Sequence, residues 1–268
     1  MTRLLGVDFT SRPTRRKPIT IAVGDAAGGV VRVARLDAVE TFDGLAAVLA
    51  EPGPWVGGFD FPFGLSRELV QALGWPGDWP ALMDHYAGLS RDAVRETFAA
   101  FCAARPVGGK FAHRATEQPA GASPSMKWVN PPVALMMHAG VPLLRAAGVH
   151  IPGLADGDPQ RVALEAYPGL LARELIGTRS YKNDAPARQT PERLIARKDL
   201  LEALEQGRSR LGLRVRLTHA MRDGLAADGS GDRLDAVLCL VFAAWAATQP
   251  RHGLPATVDP VEGWIVGA

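Results

Sequence analysis

Leu4-Leu-Gly-Val-Asp-Phe9 and Trp55-Val-Gly-Gly-Phe-Asp60 are the two stretches that decide the fold of this chain. Each is a short apolar run that reaches an aspartate and then gives way to turn-forming residues, the pattern of a buried strand with an acid at its end. Between them, Ile19-Thr-Ile-Ala-Val23 and Val30-Val-Arg-Val-Ala-Arg-Leu36 read as two further strands, joined through Ala26-Ala-Gly-Gly29. Tight glycine-containing connections make the first three strands an antiparallel meander. Thr41–Ala50 then carries apolar residues at Phe42, Leu45, Val48 and Leu49, the spacing of an amphipathic helix with Thr41 as its cap. With a helix between the third and fourth strands, the fourth can return parallel to the first. Asp8 and Asp60 then emerge at one carboxyl edge of the sheet, where ligand sites of open α/β sheets gather.

Beyond this opening, residues 65–150 read as a mainly helical insertion punctuated by Pro and Gly, with a Trp-rich stretch, Trp75-Pro-Gly-Asp-Trp79. Arg161-Val-Ala-Leu-Glu165 restores a strand ending on a third acid, and a helix follows from about Leu170 to Ile176. Thr190-Pro-Glu-Arg opens another helix with a cap, a first-position proline and an acidic first turn. A further amphipathic helix is expected over Thr218–Ala226, and a last long one from Asp232 to about Ala247. The prediction is a single α/β domain over residues 1–268, a mixed five-stranded sheet with the helical insertion within it.

Asp232 and Asp235 stand at i and i+3 in the first turn of that last helix, so they share a face, and the positive helix end favours their ionised forms. The run behind them, Ala236-Val-Leu-Cys-Leu-Val-Phe-Ala-Ala-Trp-Ala-Ala247, is apolar all round and must be buried, which fixes where the helix start points. Carboxylates drawn together from separate elements repel one another strongly unless a cation joins them. Hard divalent ions such as Mg2+ or Mn2+ prefer oxygen ligands, and a pair of them about 3.5–4 Å apart can bind the attacking and leaving oxygens of a phosphodiester displacement.

These residues carry a resemblance. The order strand-strand-strand-helix-strand, opened by Gly6-Val-Asp-Phe9 and closed by Gly231-Asp-Arg-Leu-Asp-Ala-Val237, resembles the ribonuclease H-like superfamily, and the paired aspartates look like those of Holliday-junction resolvases of the RuvC type. More closely, Gly58-Phe-Asp-Phe-Pro-Phe-Gly64, Lys127-Trp-Val-Asn-Pro-Pro132, Glu165-Ala-Tyr-Pro-Gly169, Tyr181-Lys182 and the Asp232/Asp235 helix are similar to a bacterial group of predicted ribonuclease H-fold nucleases, domain-of-unknown-function family 429. The likeness implies metal-binding and catalytic roles for Asp8, Asp60 and Asp235, joined by Asp232 and Glu165; read from the residues alone, Glu165 has a second role as a hydrogen-bond acceptor behind the ligands and Asp232 one as a helix cap. It also implies that Lys182 sits on the scissile phosphate. The chain departs from related nucleases at Asp60, where a glutamate is common; the side chain is shorter by one methylene. The expectation is a metal-dependent nuclease hydrolysing phosphodiester bonds with two metal ions.

Charge bears on the partner. With 30 Lys+Arg against 28 Asp+Glu the formal charge is only +2, so no global field selects a polyanion. Local clusters do exist: residues 10–20 hold four positive charges (Arg12, Arg15, Arg16 and Lys17) and no negative one. Residues 102–130 hold Arg105, Lys110, Arg114 and Lys127 against Glu117, and residues 173–222 hold twelve Lys/Arg against six Asp/Glu. Arg12, Arg15, Arg16, Lys110, Arg114 and Lys127 are the candidates for holding a nucleic-acid backbone. Trp75, Trp79 and Trp128 have two readings, stacking on unpaired bases or building the insertion's own core.

Composition excludes several classes. Cys102 and Cys239 are the only cysteines, so a disulfide framework and a thiolate zinc site are ruled out, and the six histidines show no pair at metal-ligand spacing. Asp228-Gly-Ser-Gly-Asp232 begins like a calcium loop, but its twelfth position is Cys239 rather than Glu. The start, Met1-Thr-Arg-Leu-Leu-Gly-Val-Asp8, turns acidic too early for a signal peptide, and the longest apolar run, Ala236–Ala247, is too short to span a bilayer. A cytoplasmic protein without a membrane partner is expected, of unspecified oligomeric state. Two rivals to the nuclease remain at this level. One is a non-catalytic ribonuclease H-like scaffold that binds nucleic acid or protein. The other is an actin-like ATP-using enzyme, which 268 residues without an internal repeat fit poorly.

Overall fold

In the computed structural model, which describes residues 2–268, the alternation of β1 (Arg3–Asp8) assigns the two faces of the molecule. Leu5 and Val7 pack into one hydrophobic core and Leu4 into the other, and Gly6 lies against the last helix, α10 (Asp232–Ala246). The remaining strands are β2 (Ile19–Ala27), β3 (Val30–Val39), β4 (Trp55–Phe59), β5 (Val149–His150), β6 (Asp158–Glu165) and β7 (Arg214–Arg216). They form one seven-stranded mixed sheet in the order β5-β6-β4-β1-β2-β3-β7. The meander β1-β2-β3 is antiparallel, and β4 returns parallel to β1 with Gly6 opposite Gly58.

The five strands predicted from the sequence are the central five, and the expected five-stranded sheet is corrected to seven by an edge strand at each side. β5 has two residues and β7 three, too few for a periodic pattern, and each forms because a parallel neighbour offers its hydrogen-bonding edge. β5 lies at the end of the stretch read as helical insertion.

Helices cover both faces. One face carries α7 (Pro168–Ile176), α8 (Pro191–Gln206), α9 (His219–Ala227) and α10. The other carries α1 (Phe42–Leu49) and the inserted helices α2 (Arg67–Ala72), α3 (Trp79–Gly88), α4 (Arg91–Ala103) and α6 (Val133–Ala146), with the short α5 (Glu117–Ala120) between the last two along the chain. Thr41 and Thr190 cap α1 and α8 as expected and Thr218 caps α9, each accepting from the backbone amide three residues on. Trp79 is buried and its indole N–H donates to the Phe63 carbonyl, so it builds the insertion's core; Trp75 packs at a tilt against Tyr86 and Phe98 in the same cluster. Among the described residues no helix is long and apolar enough to cross a membrane, and both cysteines are free and buried.

The position of α10 sets up everything that follows. Nearly every residue of this helix is buried, and it lies directly on β1, β2 and β4. The approach is close because Gly6 and Gly58 have no side chain: a Cβ on Gly6 would fall on the Ala236 carbonyl and the Leu240 amide, and one on Gly58 would meet the Cys239 carbonyl. Two glycines in register across parallel strands thus form a seat for the helix.

Candidate metal centre

The same alternation that turns Leu4 and Gly6 toward α10 turns Asp8 toward it, and in β4 it does the same for Val56, Gly58 and then Asp60. Asp60 follows the last residue of β4, and its amide donates to the Val7 carbonyl, so the two acids leave adjacent strands side by side. Asp235 projects from the first turn of α10, whose N-cap is Gly231. That glycine has a φ of 78°, and a Cβ there would strike the Lys182 side chain, so a left-handed, side-chain-free residue is required for the helix to start here. One carboxylate oxygen from each of Asp8, Asp60 and Asp235 lies within 4.8 Å of the others.

Asp235 is fully buried and held from two directions: the Tyr181 hydroxyl donates to Oδ1, and Lys182 Nζ forms an ion pair with Oδ2. Among the described residues, no protein donor reaches the carboxylates of Asp8 or Asp60. Burial, then the charges of Asp235 and Asp232, push the Asp8 carboxyl well above its ordinary value, with Lys182 opposing. Burial and Asp235 push Asp60 from 3.8 to about 7, again against Lys182. Asp235 is raised by burial and drawn back by Lys182 and Tyr181. Burial disfavours the Lys182 ammonium, but Asp235 and its neighbours outweigh it and hold its pKa well above the usual lysine range. Burial, followed by Asp235, keeps the Tyr181 phenol protonated and donating.

A pH dependence follows. The folded chain holds the Asp60 proton more tightly than the unfolded chain does. That contribution to stability is complete below 3.8 and is lost as pH rises through about 7. Metal-free protein should therefore lose roughly 1–3 kcal/mol of this contribution between pH 5 and pH 8, the lower part of the range reflecting the partly exposed edge of Asp60. Chemical denaturation across that range checks it, with Asp60→Asn expected to flatten the slope.

The other residues expected at the site are placed differently. Asp232 is the first residue of α10, and both its oxygens accept from Lys17 Nζ at 2.8 Å; Lys17 also reaches Asp184 at 2.8 Å. Lys182 sits on Asp235 rather than free above the cluster. Glu165 is not part of the carboxylate group, which corrects its expected role as a ligand. It lies opposite Phe59 in the β4–β6 register and so faces the insertion, away from α10. There it accepts from the Phe63 amide at 2.9 Å and forms a bidentate pair with Arg114 at 2.5 and 2.8 Å.

Arg114 is likewise corrected as a nucleic-acid contact. It is 1% exposed, its Nε donates to Glu117 Oε1 at 2.8 Å, and its Nη1 also donates to the Glu262 carbonyl at 2.8 Å. The guanidinium ties the insertion, the end of β6 and the C-terminal segment together, and through Glu165 it reaches the turn after β4. Arg12, Arg15, Arg16 and Lys110 are exposed and Lys127 is half-buried, so these five remain available to solvent. Lys17 and Tyr181 are the residues sequence reading undervalued. Lys17 was visible only as one charge of the basic loop, and Tyr181 only as the neighbour of Lys182.

The donor set suits a hard divalent cation. Three carboxylates converge, two of them without a protein donor, and no sulfur or imidazole is among them. A cation there would relieve the repulsion that raises Asp8 and Asp60, and its binding would release protons. The site can therefore bind a metal ion. No protein-family model matches the chain, and no curated protein or solved structure matches it.

Proposed function

We propose that this chain is a metal-dependent hydrolase of phosphodiester bonds in nucleic acid, built on a ribonuclease H-like fold. The observation that carries the reading is the convergence of Asp8, Asp60 and Asp235, from two adjacent parallel strands and the last helix, within 4.8 Å. The fold assignment is supported by the element order β1-β2-β3-α1-β4 and by the central strand order β3-β2-β1-β4-β6. Nucleic acid as the substrate is supported by the exposed basic loop, Arg12 to Lys17, whose last residue touches the acid-bearing helix through Asp232.

Asp8, Asp60 and Asp235 would hold Mg2+ or Mn2+. When bound, such ions supply Lewis-acid charge to the phosphate and make water a better nucleophile near neutral pH. The chain's own residues have distinct tasks. Tyr181 and Lys182 fix the orientation of Asp235. Because Lys182 keeps its proton at Nζ, it acts as a fixed positive charge beside the phosphate rather than as a base. Lys17 neutralises Asp232 and anchors the basic loop at the mouth of the site.

With Mn2+, wild-type protein is expected to cut at least one of single-stranded DNA, branched DNA or an RNA–DNA hybrid, and Asp8→Asn to cut about 100- to 1,000-fold more slowly. An Asp8→Asn protein as fast as wild type would overturn the assignment.

One observation favours a second reading, a scaffold that binds nucleic acid or protein without cutting. Lys182 already provides Asp235 with a cation inside the fold. Its mark would be oligonucleotide binding indifferent to divalent metal.

A further inference from the structure

Asp60 borders two spaces. On one side it joins the carboxylate group. On the other it forms part of the wall of a small cleft of about 80 Å³, whose other walls include Phe61, Pro62, Pro131, Val133 and Tyr167. Arg114 and Glu165 also line it, and the guanidinium is already engaged by both Glu165 and Glu117. The rest of the lining is mostly apolar, with Ser123 and Asp60 adding polar groups. Tyr167 is held in place: its hydroxyl lies 3.5 Å from the Gly121 carbonyl, and the Arg173 guanidinium lies over its ring at 5.9 Å. A wall fixed in advance loses little freedom when a flat ring is laid against it.

We propose that this cleft receives one unstacked nucleobase of the strand whose phosphate lies at Asp8, Asp60 and Asp235. The inference rests on the phosphodiester reading and adds a substrate class to it, a single strand or a locally opened duplex. Size argues for no more than one ring system, because a cleft of about 80 Å³ lies well below the roughly 300–1,000 Å³ of small-molecule pockets and cannot admit paired bases. Chemistry argues for a base, since aromatic and proline faces accept a π-system of any sequence while the rim offers polar contacts. Position argues for a nucleotide: Asp60 belongs both to the cleft wall and to the carboxylate group, which makes the two spaces neighbours for a base and its own phosphate. The basic loop bearing Arg12, Arg15 and Arg16 is tied by Lys17 to Asp232, leaving a cationic surface for the neighbouring phosphates.

The test uses 2-aminopurine deoxynucleoside 5′-monophosphate, a fluorescent nucleotide without a diester to cut, titrated into the full chain with Mn2+ present. Two variants act in opposite senses: Ala122→Trp fills the cleft from its rim, and Tyr167→Ala removes a wall. Saturable emission change is expected in wild type, weakened roughly 5- to 100-fold in both variants, while the Mn2+-induced rise in Tm is retained in each. Deoxyribose 5-phosphate, which has no base, should compete at least tenfold more weakly than the unlabelled nucleotide. Equal nucleotide affinity in all three proteins, or equal competition by the sugar phosphate, would overturn the proposal. Nucleotide silence with a normal Mn2+ response would overturn the base cleft alone. A wild type whose Tm ignores Mn2+ would overturn the metal reading, and base-dependent binding to that protein would still uphold the cleft.

Discussion

Replacing Arg114 with methionine is expected to lower the unfolding free energy by about 3–5 kcal/mol, the usual cost of removing one partner from a buried ion pair. Methionine fills much of the volume but leaves Glu117 and Glu165, both buried, without their shared cation. The damage should reach the acidic site, although Arg114 touches none of its three carboxylates. Glu165 accepts from the Phe63 amide, and that bond pins the turn that begins at Asp60. Urea denaturation measures the first effect and Mn2+ titration of the folded variant the second. Arg114→Lys should recover only part of the loss, because an ammonium cannot reproduce the paired hydrogen bonds to Glu165 together with those to Glu117 and the Glu262 carbonyl. A methionine variant as stable as wild type would show that this pair merely balances its own desolvation.

Mn2+ at about 100 times its Kd is expected to stabilise the wild type by about 2.7 kcal/mol, which for a chain of this size raises Tm by roughly 5 °C. Asp8→Asn/Asp60→Asn should abolish the rise. This pair of substitutions leaves the Lys182–Asp235 contact intact and removes only like charge, so without metal the variant should melt no lower than the wild type. The combination separates a lost ligand set from a lost fold: a low metal-free Tm would mean the asparagines had damaged packing. A Tm rise that persists in the variant would place the ion elsewhere. Because protons compete for Asp60, the wild-type rise should be larger at pH 8 than at pH 5.5.

Much of this arrangement was readable from local pattern. Asp8 and Asp60 stand at the ends of short apolar runs, and an apolar helix with acids in its first turn can point them only one way. Thr41 and Thr190 sit where caps are needed and do cap. The central strands, the parallel return of β4 and the buried α10 follow from periodicity and connection rules acting over a few residues at a time.

Glu165 marks where such reading ends. Like Asp8 and Asp60 it closes a buried strand, yet it stands opposite Phe59, one step out of phase with Asp60, and so faces the insertion. A shift of one residue exchanges the two faces of a strand, and pairing register is a property of two distant segments. Arg114 and Lys127 look alike as single positive charges between turn residues. Only the packing of the insertion against β6 and the C-terminal segment buries the first while leaving the second half-exposed. β5 and β7 are too short to announce themselves and exist because neighbours complete them.

The sequence by itself determined the α/β class, the central strands, the buried last helix and the three carboxylates Asp8, Asp60 and Asp235, because each of these is written in the spacing of residues close along the chain. Tertiary structure alone decided that Glu165 serves Arg114, that Lys182 and Tyr181 grip Asp235, that Lys17 ties the basic loop to Asp232, and that a cleft opens beside Asp60. Those outcomes depend on register and burial, where a charge far along the chain is paired or left in water according to which surfaces the fold brings together.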